Sequence, residues 1–168
     1  MKNLFLSAIV ATATLASCST VSSILQNTFP YSATVLVTAG SPANTELSSV
    51  TAGQSVNQLL GSGANVKDIR VSNATMSVNS GTSMGVFKSV KVYLSNNGSN
   101  QTLVASRESI PDNVGNSLSM DVSTTKTLDN LMKSGSVEAR VVYELKQSPT
   151  SDISLRTSIG FSSVPVTN

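Results

Sequence analysis

The segment Gly81-Thr82-Ser83-Met84-Gly85 matches the G-x-S-x-G pattern of a nucleophile elbow, in which a serine hydroxyl attacks an acyl group. That chemistry needs a histidine to accept the serine proton, and the 168-residue chain contains no histidine. The elbow also needs a helix after the serine, whereas a strand pattern begins at Phe87. We therefore interpret the segment as a Gly-rich hairpin loop.

A second pair of motifs combines serine with lysine. Ser123-Thr124-Thr125-Lys126 fits S-x-x-K, and Lys133-Ser134-Gly135 resembles the K-S/T-G motif of penicillin-binding proteins and serine β-lactamases. In that family the first motif begins a helix and the second lies far downstream on a strand. Here a few residues and a short predicted helix separate them, so chance in a Ser-rich chain explains the match. We predict no catalytic residues and no enzymatic activity.

Two loops, residues 95–100 and 111–116, are rich in side-chain oxygen, which calcium prefers. Neither loop has the several carboxylates of a tight site, and turn formation explains both, with Asn97-Gly98 predicting a hairpin turn. With one cysteine and no histidine, the chain cannot form an internal disulfide, a thiolate zinc cluster or a histidine-bound metal site. No metal or cofactor is predicted.

The amino terminus has the pattern of a secretory signal. Lys2 precedes an apolar stretch at residues 4–15, which at about 12 residues is too short to span a bilayer as a helix. The stretch ends in Leu15-Ala16-Ser17-Cys18, which resembles the lipobox of bacterial lipoproteins. The resemblance implies cleavage between Ser17 and Cys18 and a lipid on Cys18. More than one acyl chain then makes the membrane attachment stable.

The same resemblance bears on location, because acidic residues after the lipidated cysteine redirect many such lipoproteins. Residues 19–23 contain none. We therefore expect attachment to the bacterial outer membrane with the protein facing the periplasm, and the cell surface is the alternative.

Charge gives no reason to expect a nucleic-acid or acidic-lipid partner. The formal net charge of +2 falls to +1 when Lys2 is removed with the signal.

The strand with the clearest alternation, at residues 137–145, alternates apolar residues with Glu138, Arg140 and Glu144. This alternation predicts a solvent-exposed row of positive and negative side chains, called here the ladder of mixed charge, rather than a catalytic acid and base.

Strand patterns separated by turn signals every 8 to 12 residues or so predict an all-β fold, an antiparallel β-sandwich of about eight strands with Greek-key or jelly-roll-like order. One of them, near residues 69–78, changes phase at Ser72-Asn73, which predicts a bulge. Two short helices are expected at residues 55–60 and 127–133. The predicted organisation is a signal peptide at 1–17, a lipidated cysteine and tether at 18–30, and one sandwich domain at 31–168.

These features lead to two hypotheses about function. The first is a membrane-anchored envelope lipoprotein with a non-catalytic binding or structural role, whose partners are the membrane and another envelope protein. The alternative is a surface-exposed module that binds a glycan or host ligand. The chain has no tryptophan, and only Tyr93 of its tyrosines falls on a polar strand face, which leaves few aromatic groups for stacking on sugars.

Overall fold

The computed structural model describes residues 27–60 and 65–166, which form two antiparallel β-sheets and two short α-helices. The all-β sandwich predicted from the sequence is confirmed. The predicted signal peptide, Ser17, Cys18 and the first part of the tether lie outside the described residues. The strands are β1 (Asn27–Val37), β2 (Glu46–Val50), β3 (Gln54–Ser55), β4 (Val66–Val78), β5 (Phe87–Asn96), β6 (Ser99–Arg107), β7 (Ser117–Ser119), β8 (Asp121–Val122), β9 (Ser136–Leu145) and β10 (Ile153–Pro165).

The first sheet has the strand order β1-β10-β4-β7, and the second has the order β2-β9-β5-β6-β8, with β3 also paired to β9. Within the second sheet, β5, β6, β8 and β9 lie in the spatial order 4-1-2-3 of a Greek key, with β9 returning to lie beside β5. Because β1, β4, β7 and β10 lie in the first sheet and the other strands lie in the second, the chain crosses repeatedly from one sheet to the other.

Strand β1 begins at Asn27, so its first residues overlap the predicted tether at residues 18–30. Phe29 and Tyr31 are only 3% and 0% exposed, and the Phe29 ring stacks on Phe161 with centroids 5.2 Å apart. Pro30 is tolerated because β1 is an edge strand, where a missing N–H need not break a ladder. The sheet therefore starts four residues earlier than the alternation pattern indicated.

The predicted bulge in β4 is confirmed. Gly160 pairs with Asn73 and Phe161 with Val71, so Ser72 is the extra residue. A second irregularity, at Asp68 with φ 54°, lies between the pairs Ser162–Arg70 and Val164–Lys67. Each extra residue changes the phase of the strand. Its apolar side chains consequently all face the core: Val66, Ile69, Val71, Ala74, Met76 and Val78.

The core lies between the two inner sheet faces. The inward residues predicted for β9 are all buried: Val137, Ala139, Val141, Tyr143 and Leu145. Tyr143 meets Phe87 of the neighbouring β5 edge to face, with ring centroids 5.9 Å apart. Each large side chain buried in this way contributes about 1.5–3 kcal/mol to stability, so the two faces together hold the sandwich.

The alternation at residues 118–122 predicts one strand, but the chain changes sheets there. Residues 117–119 pair with β4 in the first sheet as β7, and residues 121–122 pair with β6 in the second as β8. Met120 between them is 7% exposed, and its N–H donates to the Ala74 carbonyl at 2.9 Å. Burial of Met120 between the sheets is what makes the crossing favourable.

Both predicted helices are present, as α1 (Val56–Leu60) and α2 (Asp129–Lys133). Ser55 caps α1 as expected: its Oγ accepts from the Gln58 N–H at 3.3 Å, and the Gln58 side chain accepts from the Ser55 N–H at 2.6 Å. The second helix, predicted over residues 127–133, begins later, because Leu128 occupies the N-cap position without a side-chain bond. Leu128 is buried, so packing fixes this helix start instead.

Two buried side-chain atoms, Asn96 Nδ2 and Thr157 Oγ1, have no hydrogen-bond partner among the described residues, and Thr157 is the one in the apolar core. Thr157 of β10 is 0% exposed, and its hydroxyl makes no hydrogen bond in the part of the chain that the structure describes. We expect Thr157→Val, which keeps the shape and removes the unpaired hydroxyl, to raise the free energy of unfolding by about 1 kcal/mol. Denaturant unfolding measures this, with exposed Thr75→Val on the adjacent strand as the control, expected to change stability by less than about 0.5 kcal/mol. A loss of stability in Thr157→Val alone would contradict the assignment.

Candidate functional site

The sandwich has two different ends. The proximal end is defined here by the start of β1 at Asn27, the end of β10, the start of β4, helix α2 and the turn Asn97-Gly98. The distal end is defined by four loops at residues 38–45, 79–86, 108–116 and 146–152. Candidate functional groups are described below by which end or face they occupy.

Backbone hydrogen bonds hold the distal loops to one another. Gly40 N–H donates to the Pro149 carbonyl at 2.9 Å, and Met84 N–H donates to the Gly115 carbonyl at 2.9 Å. The Asp152 carboxylate accepts from the Ala39 N–H at 2.8 Å. Because these bonds join the loops to one another, the distal end presents a preformed surface.

Ser83 occupies a structural position in this end. It is the N-cap of a 3₁₀ helix (Met84–Val86), its Oγ accepts from the Gly85 N–H at 3.0 Å, and its hydroxyl donates to the Val114 carbonyl. A Cβ on Gly85 would collide with the Asp112 carbonyl, so this glycine is required for loop packing. The segment is a loop as predicted, but it is not a hairpin, because it joins β4 of one sheet to β5 of the other.

The serine and lysine motifs near α2 have structural contacts as well. The Ser134 hydroxyl donates to the Leu131 carbonyl at 3.2 Å, and Lys133 pairs with Asp129 one helical turn earlier at 3.2 Å. The Thr125 carbonyl accepts from the Arg70 guanidinium. The Arg70 contact ties the loop before α2 to β4.

The two oxygen-rich loops differ in structure. Asn97 and Gly98 have φ of 47° and 74°, the left-handed pair of a type I′ turn, which confirms the predicted hairpin turn between β5 and β6. In the other loop, Asp112 forms an ion pair with Lys146. Among the residues described, no group of three or more His, Cys, Asp or Glu side chains is placed to hold a metal ion.

The outer face of the second sheet carries the predicted ladder of mixed charge. Lys88 pairs with Glu144 at 2.7 Å across β5 and β9, and the Arg140 guanidinium donates to Gln101 at 3.2 Å. A further pair joins Lys91 to Glu108 at 3.2 Å, and this hydrogen bond raises the pKa of Lys91. Exposed pairs of this kind each contribute about 0–1 kcal/mol.

The outer face of the first sheet is different, since hydroxyl groups dominate it. Its exposed or half-buried serines and threonines include Ser32, Thr34, Thr75, Ser154, Ser158 and Ser162. Gly160 leaves a shallow depression of about 310 Å³ between Pro30 and Asn73. The sequence did not predict this depression, because the strands that line it had no assigned neighbours.

Of the three tyrosines, only Tyr93 lies on an outer sheet face. Tyr31 is buried, its hydroxyl lies 2.7 Å from the Thr51 Oγ1, and burial raises its pKa. Burial also raises the pKa of Tyr143, whereas Tyr93 is half-buried on the polar face where it was predicted. A sugar-binding site on the outer face of the first sheet would therefore depend on hydroxyl and amide contacts.

Comparisons with known proteins give little additional information. No family model and no curated protein matches the sequence. A solved structure from Desmodium yellow mottle tymovirus is similar with a TM-score of 0.26 at 12% identity, covering 100% of this chain and 98% of that chain. A likeness at this level carries no argument about function.

Helices α1 and α2 have five residues each, and neither has the length to cross a membrane.

The contacts of Ser83 predict a stability effect. We expect Ser83→Ala to lower the free energy of unfolding by about 1–2 kcal/mol, because it removes both the cap and the bond to Val114. Exposed Ser80→Ala in the same loop is the matched control, expected to change stability by less than about 0.5 kcal/mol. Unchanged stability combined with loss of an ester-hydrolysis activity in Ser83→Ala would instead make Ser83 a nucleophile.

Proposed function

We propose that the protein is a membrane-anchored lipoprotein of the bacterial envelope with a non-catalytic binding or structural role, attached to the outer membrane through Cys18. The observation that carries the proposal is the lipobox-like segment Leu15-Ala16-Ser17-Cys18 directly after a short apolar stretch. The cysteine at this position is the only one in the chain, so its use in a disulfide within the chain is excluded.

The start of the first strand is compatible with this anchoring. Residues 19–26 separate Cys18 from β1, and even fully extended they reach at most about 30 Å. Such a short link keeps the sandwich close to the membrane that holds the lipid. A protein in this position is suited to contact other envelope proteins rather than to act at a distance.

The non-catalytic role is supported by the structural contacts of residues in the motifs and loops that suggest catalysis or metal binding. Ser83 caps a 3₁₀ helix, Ser134 bonds to the end of α2, and Asp112 pairs with Lys146. Each of these groups is engaged in holding a loop or a helix. The preformed distal loops are then the natural contact surface for an envelope partner, because little conformational entropy is lost when they bind.

The second candidate function is binding of a glycan or host ligand at the cell surface. The hydroxyl-rich outer face of the first sheet favours it, since Ser158, Ser72 and Asn73 line the depression at Gly160. Hydroxyl and amide groups can bond to sugar hydroxyls without a charge.

Lipid attachment is tested by Cys18→Ser. We expect the unmodified protein to partition with membranes and to carry label from a radioactive fatty acid, and the variant to lose both because it has no thiol to modify. Ser19→Ala, which keeps the cysteine, is the control and should behave as wild type. A Cys18→Ser protein that still carries fatty-acid label would overturn the proposal.

Protease digestion of intact and permeabilised cells distinguishes the two locations. With an epitope tag after Asn168, we expect the tag to be protected in intact cells and digested after permeabilisation, because the protein faces the periplasm. Digestion in intact cells would favour the surface-exposed alternative. A tagged periplasmic protein must remain protected in the intact sample, which controls for leakage.

A further inference from the structure

The small net charge of the chain conceals an uneven distribution of paired and unpaired bases. Most basic side chains of the second sheet and the distal loops have an acidic partner. The pairs are Lys88 with Glu144, Lys91 with Glu108, Arg107 with Asp121, and Lys146 with Asp112. These parts of the surface are therefore close to neutral locally.

Three basic residues at the proximal end differ from these. Lys67, Arg70 and Lys126, here called the basic cluster, form no ion pair with any residue that the structure describes. Lys67 and Lys126 are exposed, and the Arg70 guanidinium donates to the carbonyl of Thr125, which directly precedes Lys126. That bond holds the loop carrying Lys126 against β4.

The acidic groups near the cluster are too few to neutralise it. Asp68 is exposed between the basic residues of β4. Asp129 is already engaged, because it pairs with Lys133 at 3.2 Å and accepts from the Ile69 N–H at 3.1 Å. A local positive excess remains at the proximal end.

The strand register places the basic cluster beside the start of β1. Asn27 pairs with Ser163 of β10, and the residues on either side of Ser163 pair with Arg70 and Lys67 of β4. Two strand spacings, about 10 Å, thus separate Asn27 from the β4 backbone. A lipid on Cys18 would hold the bilayer within about 30 Å of Asn27, so the cluster can reach the headgroups.

We propose that the basic cluster docks the proximal end of the sandwich onto anionic phospholipid headgroups and so points the distal loops away from the membrane. This inference rests on the proposed lipid attachment at Cys18. Each basic residue near an anionic surface strengthens docking by about fivefold, and the attraction decays within a Debye length of about 8 Å at physiological salt. The lipid supplies attachment, and the cluster supplies orientation.

The test uses the lipidated full chain in vesicles with a fluorescent headgroup acceptor. Because a lipidated Cys18 has no free thiol, a single introduced cysteine can be labelled with a donor dye at Thr127→Cys, proximal, or Ser151→Cys, distal. Both positions are exposed. In vesicles of phosphatidylethanolamine with phosphatidylglycerol, we expect energy transfer to be strong from the proximal label and weak from the distal label.

Charge variants separate docking from simple tethering. Lys126→Glu should weaken docking by about fivefold or more, and the double variant Lys67→Glu/Lys126→Glu by about 25-fold or more. Arg156→Glu is the matched control, because it makes the same change of charge on the same sheet. Arg156 also forms no ion pair with a described residue. It lies about 20 Å along β10 from Ser162, which is the residue paired with Arg70. It should leave the proximal energy transfer unchanged.

Each outcome decides the inference. Proximal energy transfer that falls with Lys67→Glu/Lys126→Glu, with high salt and in phosphatidylcholine vesicles supports docking by the cluster. Equal transfer from both labels, or a difference that ignores lipid charge and the double variant, overturns it. Mass spectrometry of the purified protein is read first, since absence of lipid on Cys18 would reject the proposed function rather than the docking.

Discussion

The structure depends on burying the inner faces of two sheets against each other at the same time. Strand β10 is central to this, because β1 and β4 pair with it on either side and its inward residues reach across to the second sheet. Strand β4 can match it only with two irregularities, which keep Ile69 and Met76 on the same face. The Thr157 hydroxyl, which has no hydrogen-bond partner among the described residues, lies in this layer, where a polar group is most costly.

Much of the fold was predictable because alternation with period two is a local signal. The inward face of β9, the bulge at Ser72 and the Asn97-Gly98 turn all follow from short stretches of sequence. Three features were not predictable in this way. The start of β1 needs the Phe29–Phe161 stack, the change of sheet at Met120 needs the position of β4, and the start of α2 needs the burial of Leu128.

The candidate site also combines features that the sequence predicts with features that depend on the fold. The sequence contains no histidine to act as a base for Ser83. The hydrogen bond that Ser83 makes to Val114 was not predictable, because Val114 lies far along the chain and is brought close only by the crossing between sheets. The second glycine of the G-x-S-x-G pattern, Gly85, is required by loop packing, since a Cβ there would collide with the Asp112 carbonyl. Short motifs that suggest chemistry can therefore reflect close approach of two backbones.

Charge shows most clearly why sheet order matters for function. Lys88 is neutralised because antiparallel pairing of β5 with β9 brings Glu144 beside it. Lys67 and Arg70 lie on β4, whose neighbour β10 contains Arg156 as its only charged residue, while β1 contains none. The register thus places acidic side chains beside the basic ones of the second sheet, whereas β10 and β1 place none beside Lys67 and Arg70. A chain with almost balanced composition consequently acquires a positive end beside its first strand, where a lipid on Cys18 would bring the membrane.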